Sequence, residues 1–296
     1  MRVTQKLLFG NFMRDVNKNR SEAGQIQSDL SSGRSVRVPS QDPVSFQRAR
    51  ITQENIRKEQ QFQDNIDNGL RQGRLAQDKL GKMIDGLIEI KELTVRGSSD
   101  SYGAKDRESM ADQIQGLKVT LANSLNLSYG DRYLFAGTNS DQQPFEVDDV
   151  TGNVTNNSNA TGPIIKAGDG VNIEFSVTGS ELANTASGDL FVVLNDLEQA
   201  FRNNDQATIN NYLGSMDNVI EHVTDLTSKL GNNINRMEYM FEQYESSKIT
   251  QNADVSKLVD TDFAEAFSEM QRNQVAYESA MAVHSTMFNN TLLDYL

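Results

Sequence analysis

The 296 residues contain no cysteine and no tryptophan, and histidine occurs only twice. Without cysteine there are no disulfides, no thiol nucleophile and no thiolate metal site. His222 and His284 lie far apart in sequence, so a Ser/His/Asp hydrolase or a His-rich metal centre has little support. Basic residues are also scarce: 28 Lys+Arg against 41 Asp+Glu give a net charge of −13 and a pI near 4.7. Nucleic-acid binding needs a basic footprint, which this balance does not provide. No run approaches the roughly 20 apolar residues that span a bilayer. The N-terminus MRVTQKLLFGNFM begins basic and apolar, turns polar at Arg14 and Asp15, and has no small-residue cleavage site, so it reads as part of the folded protein.

Proline is the most telling shortage. Pro39, Pro43, Pro144 and Pro163 are the only four, which leaves 44–143 and 164–296 free of helix breakers. Amides are abundant, with 28 Asn and 21 Gln, and apolar content is 37%. That composition suits long solvated helices better than a thick core. Phe62, Ile66, Gly69, Gly73, Ala76, Leu80, Met83, Leu87 and Ile90 step by four and three. Ile209, Leu213, Met216, Ile220, Val223, Thr227, Leu230, Ile234, Met237, Phe241 and Tyr244 do the same. Alternating 3-4 spacing marks a left-handed coiled-coil seam. A shorter helix carries Ile114, Leu117 and Leu121, with Met110 and Leu125 alongside. Breaks fall at 101–104 and 203–205.

The two ends repeat the pattern. One seam runs through Phe9, Phe12, Val16, Asn19, Ala23, Ile26 and Leu30, the other through Phe263, Phe267, Met270, Gln274, Tyr277, Met281, His284 and Phe288. Residues 1–42 hold seven basic and four acidic side chains, and 255–296 hold two and six, so the segments carry opposite net charge. Gln274 and His284 read as polar residues packed into the seam. A two-helix arm of this kind buries little surface and calls for partners. Asp42-Pro43 reads as a capped helix start, and Asp262–Glu265 resembles a capping box.

The middle is different in kind. Seven of the 20 glycines lie in 137–188. Val171, Ile173, Phe175 and Val177 alternate with polar residues through Ser176, which predicts a half-buried strand. Phe145–Val147 with the turn Thr151–Asn153 predicts a hairpin. With one basic and seven acidic residues in 138–188, the insertion is expected to be a local appendage that can be removed without loss of the helical core. The acidic pair Asp148-Asp149 and the Gly168–Gly170 turn match no calcium loop and read as solvated turns. The sequon-like triplets at Asn126 and Asn159 carry little weight. No phosphate loop, nucleophile elbow or zincin motif is present.

The predicted fold is therefore mainly α: a long helical coiled-coil bundle built from both chain ends, with a small β-rich insertion domain in the middle. The segments are 1–42 and 255–296 for the terminal coiled-coil domain, 43–137 and 189–254 for the helical core domain, and 138–188 for the insertion.

Specific residues resemble a known family. Leu30-Ser31-Ser32-Gly33-Arg34 followed by Pro39-Ser40-Gln41-Asp42-Pro43 resembles the N-terminal signature of the flagellin superfamily. Tyr133–Thr138 with Gln143-Pro144-Phe145, the segment Gly231–Arg236, and the ending Leu292–Leu296 are similar to later parts of the same pattern. The resemblance covers both arms and the entry to the insertion but not roughly 150–187. It is closer to the hook–filament junction members than to filament subunits; Gln41 stands where flagellins often have a second Asp. The resemblance implies a non-enzymatic protein without cofactor or metal, with neither nucleic acid nor membrane as a partner. It implies extracellular placement in the bacterial flagellum after type III export without cleavage. Its implied partners are further copies of itself in a ring, hook-associated protein 1, flagellin, and a cytoplasmic export chaperone holding the C-terminal helix. The expected assembly interface comprises Phe9, Phe12, Val16, Ile26, Leu30, Phe263, Phe267, Met270, Tyr277, Met281, Phe288, Leu292, Leu293, Tyr295 and Leu296. Flagellin itself is the nearest alternative, and a surface adhesin on a helical stalk is a more distant one.

Overall fold

The computed structural model describes residues 2–148 and 151–289. Three long helices come first: α1 (Arg2–Ser32), α2 (Pro43–Gly97) and α3 (Ala104–Leu125). Four antiparallel strand pairs follow: β1 (Ser128–Tyr129) with β2 (Arg132–Tyr133), β3 (Phe145–Val147) with β4 (Val154–Asn156), β5 (Ile164–Gly168) with β6 (Val171–Glu174), and β7 (Asn184–Thr185) with β8 (Gly188–Asp189). The five-residue α4 (Gly179–Ala183) precedes β7. Helices α5 (Leu190–Arg202), α6 (Gln206–Val259) and α7 (Phe263–Asn289) complete the chain. Among the described residues no helix is long and apolar enough to cross a membrane.

Two compact units emerge, 1–57 with 247–296, and 58–246. These boundaries differ from the expected divisions at 42/43 and 254/255, because the first turns of α2 and the last turns of α6 group with the terminal segments. The insertion is not a third unit. Leu134, Phe135, Phe145, Ala167, Ile173, Val177 and Leu182 share one buried cluster with α2, α3, α5 and α6.

In the larger unit the α2 seam is buried at every expected position, and the α6 seam is buried at Ile209, Met216, Val223, Leu230, Ile234 and Met237 and half-buried at the other expected positions. Ile66, Ala76, Leu80, Met83, Leu87 and Ile90 on α2, and Ile209, Met216, Val223 and Met237 on α6, are fully buried. The ion pairs Arg74–Glu238 and Lys91–Asp217 show that α2 and α6 run antiparallel, since rising numbers on one meet falling numbers on the other. Helix starts follow their caps. The Asp42 carboxylate accepts the Val44 and Ser45 N–H groups at 3.0 and 3.1 Å, and Asp205 does the same for Thr208 at 3.1 Å.

The insertion lies against α2 at two seam glycines. A Cβ on Gly69 would stand 2.7 Å from Ile165, and one on Gly73 would stand 3.1 Å from the Phe175 carbonyl and 3.3 Å from Ile234. At Gly73 the missing side chain lets the insertion backbone come close to the helix, and at Gly69 it leaves room for the Ile165 side chain. Side chains of both helices then bind insertion carbonyls: Asn65 to Lys166 at 3.0 Å, Tyr244 to Ala167 at 2.9 Å, and Asn233 to Glu174 at 3.0 Å. The expected removable appendage is thus a strap across α2 and α6. The alternating strand also ends sooner than expected. Pairing stops at Glu174, and Ser176 is buried because its hydroxyl donates to the Leu134 carbonyl at 2.9 Å. The expected β3–β4 hairpin is present, with Val147 opposite Val154.

One element had no signal in the apolar pattern. Lys118 on α3 is fully buried, with its ammonium 2.7 Å from Glu198 and 3.2 Å from Asn195 on α5. Arg202 holds the other Glu198 oxygen at 2.9 Å and reaches Asp112 at 3.0 Å. Breaking such a pair strands a buried charge and costs about 3–5 kcal/mol, whereas replacing both members with apolar groups can be neutral. Lys118→Met is therefore expected to lower the melting temperature sharply, and Lys118→Met with Glu198→Leu to recover much of the loss. Equal melting temperatures for the single and double variants in a thermal denaturation series would contradict this.

Candidate functional site

The terminal unit differs from the larger one in how little it hides. Among described side chains, α1 buries none and α7 buries only Ala266. Helices α1 and α7 pair antiparallel, tied at one end by a backbone clasp. The N–H groups of Ser35 and Val36 donate to the Val259 carbonyl, and the Thr261 N–H donates to the Gly33 carbonyl at 3.0 Å. Arg34 and Asp260 form an isolated antiparallel bridge. Gly33 adopts φ +69°, a left-handed conformation that ends α1 and turns the chain into the clasp. Arg37 folds back to the Asp29 carboxylate at 2.7 Å. Gln41, the departure from the flagellin pattern, accepts the Arg37 and Val38 N–H groups at 2.7 and 3.2 Å and so shapes the turn before Asp42.

Away from the clasp the pair is joined through side chains. The His284 ring stacks on Phe12 with centroids 4.1 Å apart and tilts against Phe9 at 5.8 Å. His284 is therefore a packed seam residue, as its spacing implies. Phe12, Val16, Ile26 and Leu30 are half-buried, as are Asn19 and Ala23.

On α7 the expected single stripe divides in two. Ala266, Met270, Asn273, Ala280 and His284 are the residues withdrawn from solvent. Phe263, Phe267 and Met281 remain 51%, 57% and 46% exposed, and Tyr277 sits at the border at 37%. At 100° per residue, Phe263, Phe267 and Met281 fall on a neighbouring strip of the helix surface, beside the face turned to α1. Phe9 is 45% exposed and Leu7 and Met13 are exposed as well. Gln274, expected within the seam, is exposed and hydrogen-bonds Glu278 at 3.2 Å; Asn19 and Asn273 take the polar positions instead. The sequence signal that could have found Ala266 and Asn273 is a seam drawn through small and amide residues rather than through the largest side chains. Phe288 belongs to α7, but its side chain is outside the described residues, as are Leu292, Leu293, Tyr295 and Leu296.

A strip of large apolar side chains exposed along a two-helix arm is the kind of surface that interaction sites present. Its lining is aromatic, aliphatic and amide, which supports packing rather than chemistry. The nested fold defines a helical protein with paired termini and a partly uncovered two-helix arm. The chain belongs to the bacterial flagellin family: its residues 5–140 match the bacterial flagellin N-terminal helical region and 213–296 the C-terminal helical region. It is 22% identical to flagellar hook-associated protein 3 of Salmonella typhimurium, over 97% of each chain. A putative flagellar hook-associated protein from Vibrio parahaemolyticus superposes with a TM-score of 0.66 at 18% identity, over 74% of this chain and 100% of the other. The flagellar junction protein of Legionella pneumophila superposes with a TM-score of 0.61 at 13% identity, over 72% of this chain and 100% of the other.

The cap before α2 gives this unit a pH dependence. Hydrogen bonds from the Ser45 side chain and backbone hold the Asp42 carboxyl below its ordinary value of 3.8. A depressed folded-state pKa contributes stability that is present above the unfolded value and is lost as pH falls through the folded one. Helicity followed by circular dichroism is therefore expected to decline below about pH 4, and Asp42→Asn, which keeps a cap acceptor but cannot titrate, to show a shallower acid limb. An unchanged limb would remove Asp42 from the account.

Proposed function

We propose that this protein is a structural subunit of the flagellar hook–filament junction, assembling through its α1/α7 arm. The observation that carries the reading is the second apolar strip on α7, which the partner helix within the same chain leaves exposed. A folded subunit with an α1 that buries no described side chain is stabilised by neighbours that cover it. The full-length similarity to a hook-associated protein 3, rather than to a filament subunit, supports the junction over flagellin or a stalked adhesin.

On this reading the subunit is non-enzymatic and lies outside the cell in the flagellum, reached by type III export without cleavage. Copies pack side by side into a ring, with hook-associated protein 1 below and the first flagellin layer above. A cytoplasmic chaperone covers the C-terminal helix before export. The motifs at Leu30–Arg34, Pro39–Pro43 and Tyr133–Thr138 support these finer assignments through the family they resemble. The assembly residues are those given above, with Phe263, Phe267 and Met281 facing a neighbouring copy and Phe12, Val16, Met270 and Tyr277 closing the arm.

Burying one phenylalanine contributes about 1.5–3 kcal/mol, which corresponds to roughly one to two decades of affinity. Phe267→Asp together with Met281→Asp is expected to abolish self-association in sedimentation velocity and filament attachment in cells. The melting temperature of the monomer should change by no more than a few degrees, because both side chains are already exposed. Filaments of normal number on cells carrying the variant would sink the proposal.

A further inference from the structure

The larger unit contains a cleft outside the α1/α7 arm, with a volume of about 780 Å³. That lies within the range of roughly 300–1,000 Å³ typical of small-ligand sites. It is lined by Tyr129, Arg132 and Tyr133 of the β1–β2 hairpin, by the 160–164 loop with Glu174 and Phe175, and by Gln72 of α2. Three hydroxyl side chains, from the 138–140 and 161 positions, add to the rim.

The 138–140 segment and the 159–161 loop, which both line the cleft, are tied together before any ligand arrives. The Asn159 carbonyl oxygen accepts the N–H groups of Thr138 and Thr161 at 3.1 and 3.2 Å, and its amide donates to the Thr138 hydroxyl at 2.6 Å. The side chain of this sequon asparagine is thus committed to holding the cleft. A cleft fixed in this way loses little freedom when it is filled. Behind it, Arg71 reaches Tyr129, an interaction that together with Asp67 raises the guanidinium pKa.

We infer that this cleft binds an uncharged pyranose-based oligosaccharide. Aromatic side chains offer apolar faces with polar edges, and these match the two-sided character of a pyranose, whose C–H face stacks while its hydroxyls point outward. Arg132, Gln72 and the rim hydroxyls supply donors and acceptors at the edges. Charge separates the sugar classes. Residues 58–246 carry 15 basic against 29 acidic side chains, which disfavours an anionic ligand. The Glu174 carboxylate is engaged by Lys229 at 3.1 Å, which disfavours a cationic one. Hydrolysis of the sugar commonly uses two carboxyl groups flanking the bond; among the described lining residues Glu174 is the one carboxylate, which favours binding over cleavage. This goes beyond the assembly role and does not depend on it.

The test is saturation-transfer difference NMR on the full-length chain with lactose, maltotriose and chitotriose. The expected result is transfer to the ring protons of at least one of the three, lost in Tyr129→Ala and weakened in Arg132→Ala. Both side chains are exposed, so unchanged melting curves should accompany the loss. No transfer from any of the three sugars at millimolar concentration overturns the inference. Transfer that survives both substitutions overturns it as well, because the binding would then lie elsewhere.

Discussion

The antiparallel packing of α2 against α6 is the interaction on which the rest of the larger unit depends. Its seam residues are mostly aliphatic and fully buried, and each contributes a few kcal/mol of apolar burial. More important is the register they impose. With Ile234 and Met237 set beside Gly73 and Gly69, the two glycines open toward the insertion, and the polar positions Asn65, Asn233 and Tyr244 fall where insertion carbonyls arrive. A shift of one helix past the other would misplace all of these contacts together. The insertion and the helix pair are therefore one cooperative object, although the chain enters and leaves the insertion at a single place.

The terminal unit uses the same heptad logic to the opposite end. Spacing on α1 and α7 is as regular as on α2 and α6, yet the withdrawn positions include Asn19, Ala23, Ala266 and Asn273. Small and amide residues bring two helices together without enclosing much apolar surface. The larger side chains sit at the margin of the contact, at Phe9, Phe263, Phe267 and Met281. The arm is thus well defined in geometry through its clasp and the Phe12–His284 stack, and poor in burial. On the proposed assembly role this combination is useful, because energy withheld from the monomer is available to the contacts with its neighbours.

Much of this was legible in the sequence because periodicity survives averaging. Nine seam positions between Phe62 and Ile90 are all buried, and the caps at Asp42 and Asp262 act where their residue types imply. Reading failed where contacts are long-range and polar. Nothing local marks Lys118 as a fully buried side chain, since its partner lies 80 residues on in Glu198. Acidic, glycine-rich composition suggested that 138–188 stands apart, but a handful of residues such as Phe145 and Ile173 suffices to anchor it. On α7, spacing alone leaves open whether the stripe of largest residues meets the first helix of the same chain or a neighbour, and three of them, Phe263, Phe267 and Met281, face water. The cleft was missed for a related reason, as its tyrosines lie before the insertion at 129 and 133.

The clasp between Gly33 and Thr261 has a bearing on the order in which the molecule can form. The hydroxyl of Ser35 and the carbonyl of Val259 that it meets are 224 residues apart. Closing a loop of that length is entropically costly and slow unless the intervening chain is already compact. During synthesis, the first helix is made long before its partner exists and has nothing in the chain to pair with until the final segment emerges. The α2–α6 body must therefore condense first, and its folding delivers residue 33 to residue 261. The arm is the last part of the subunit to take shape.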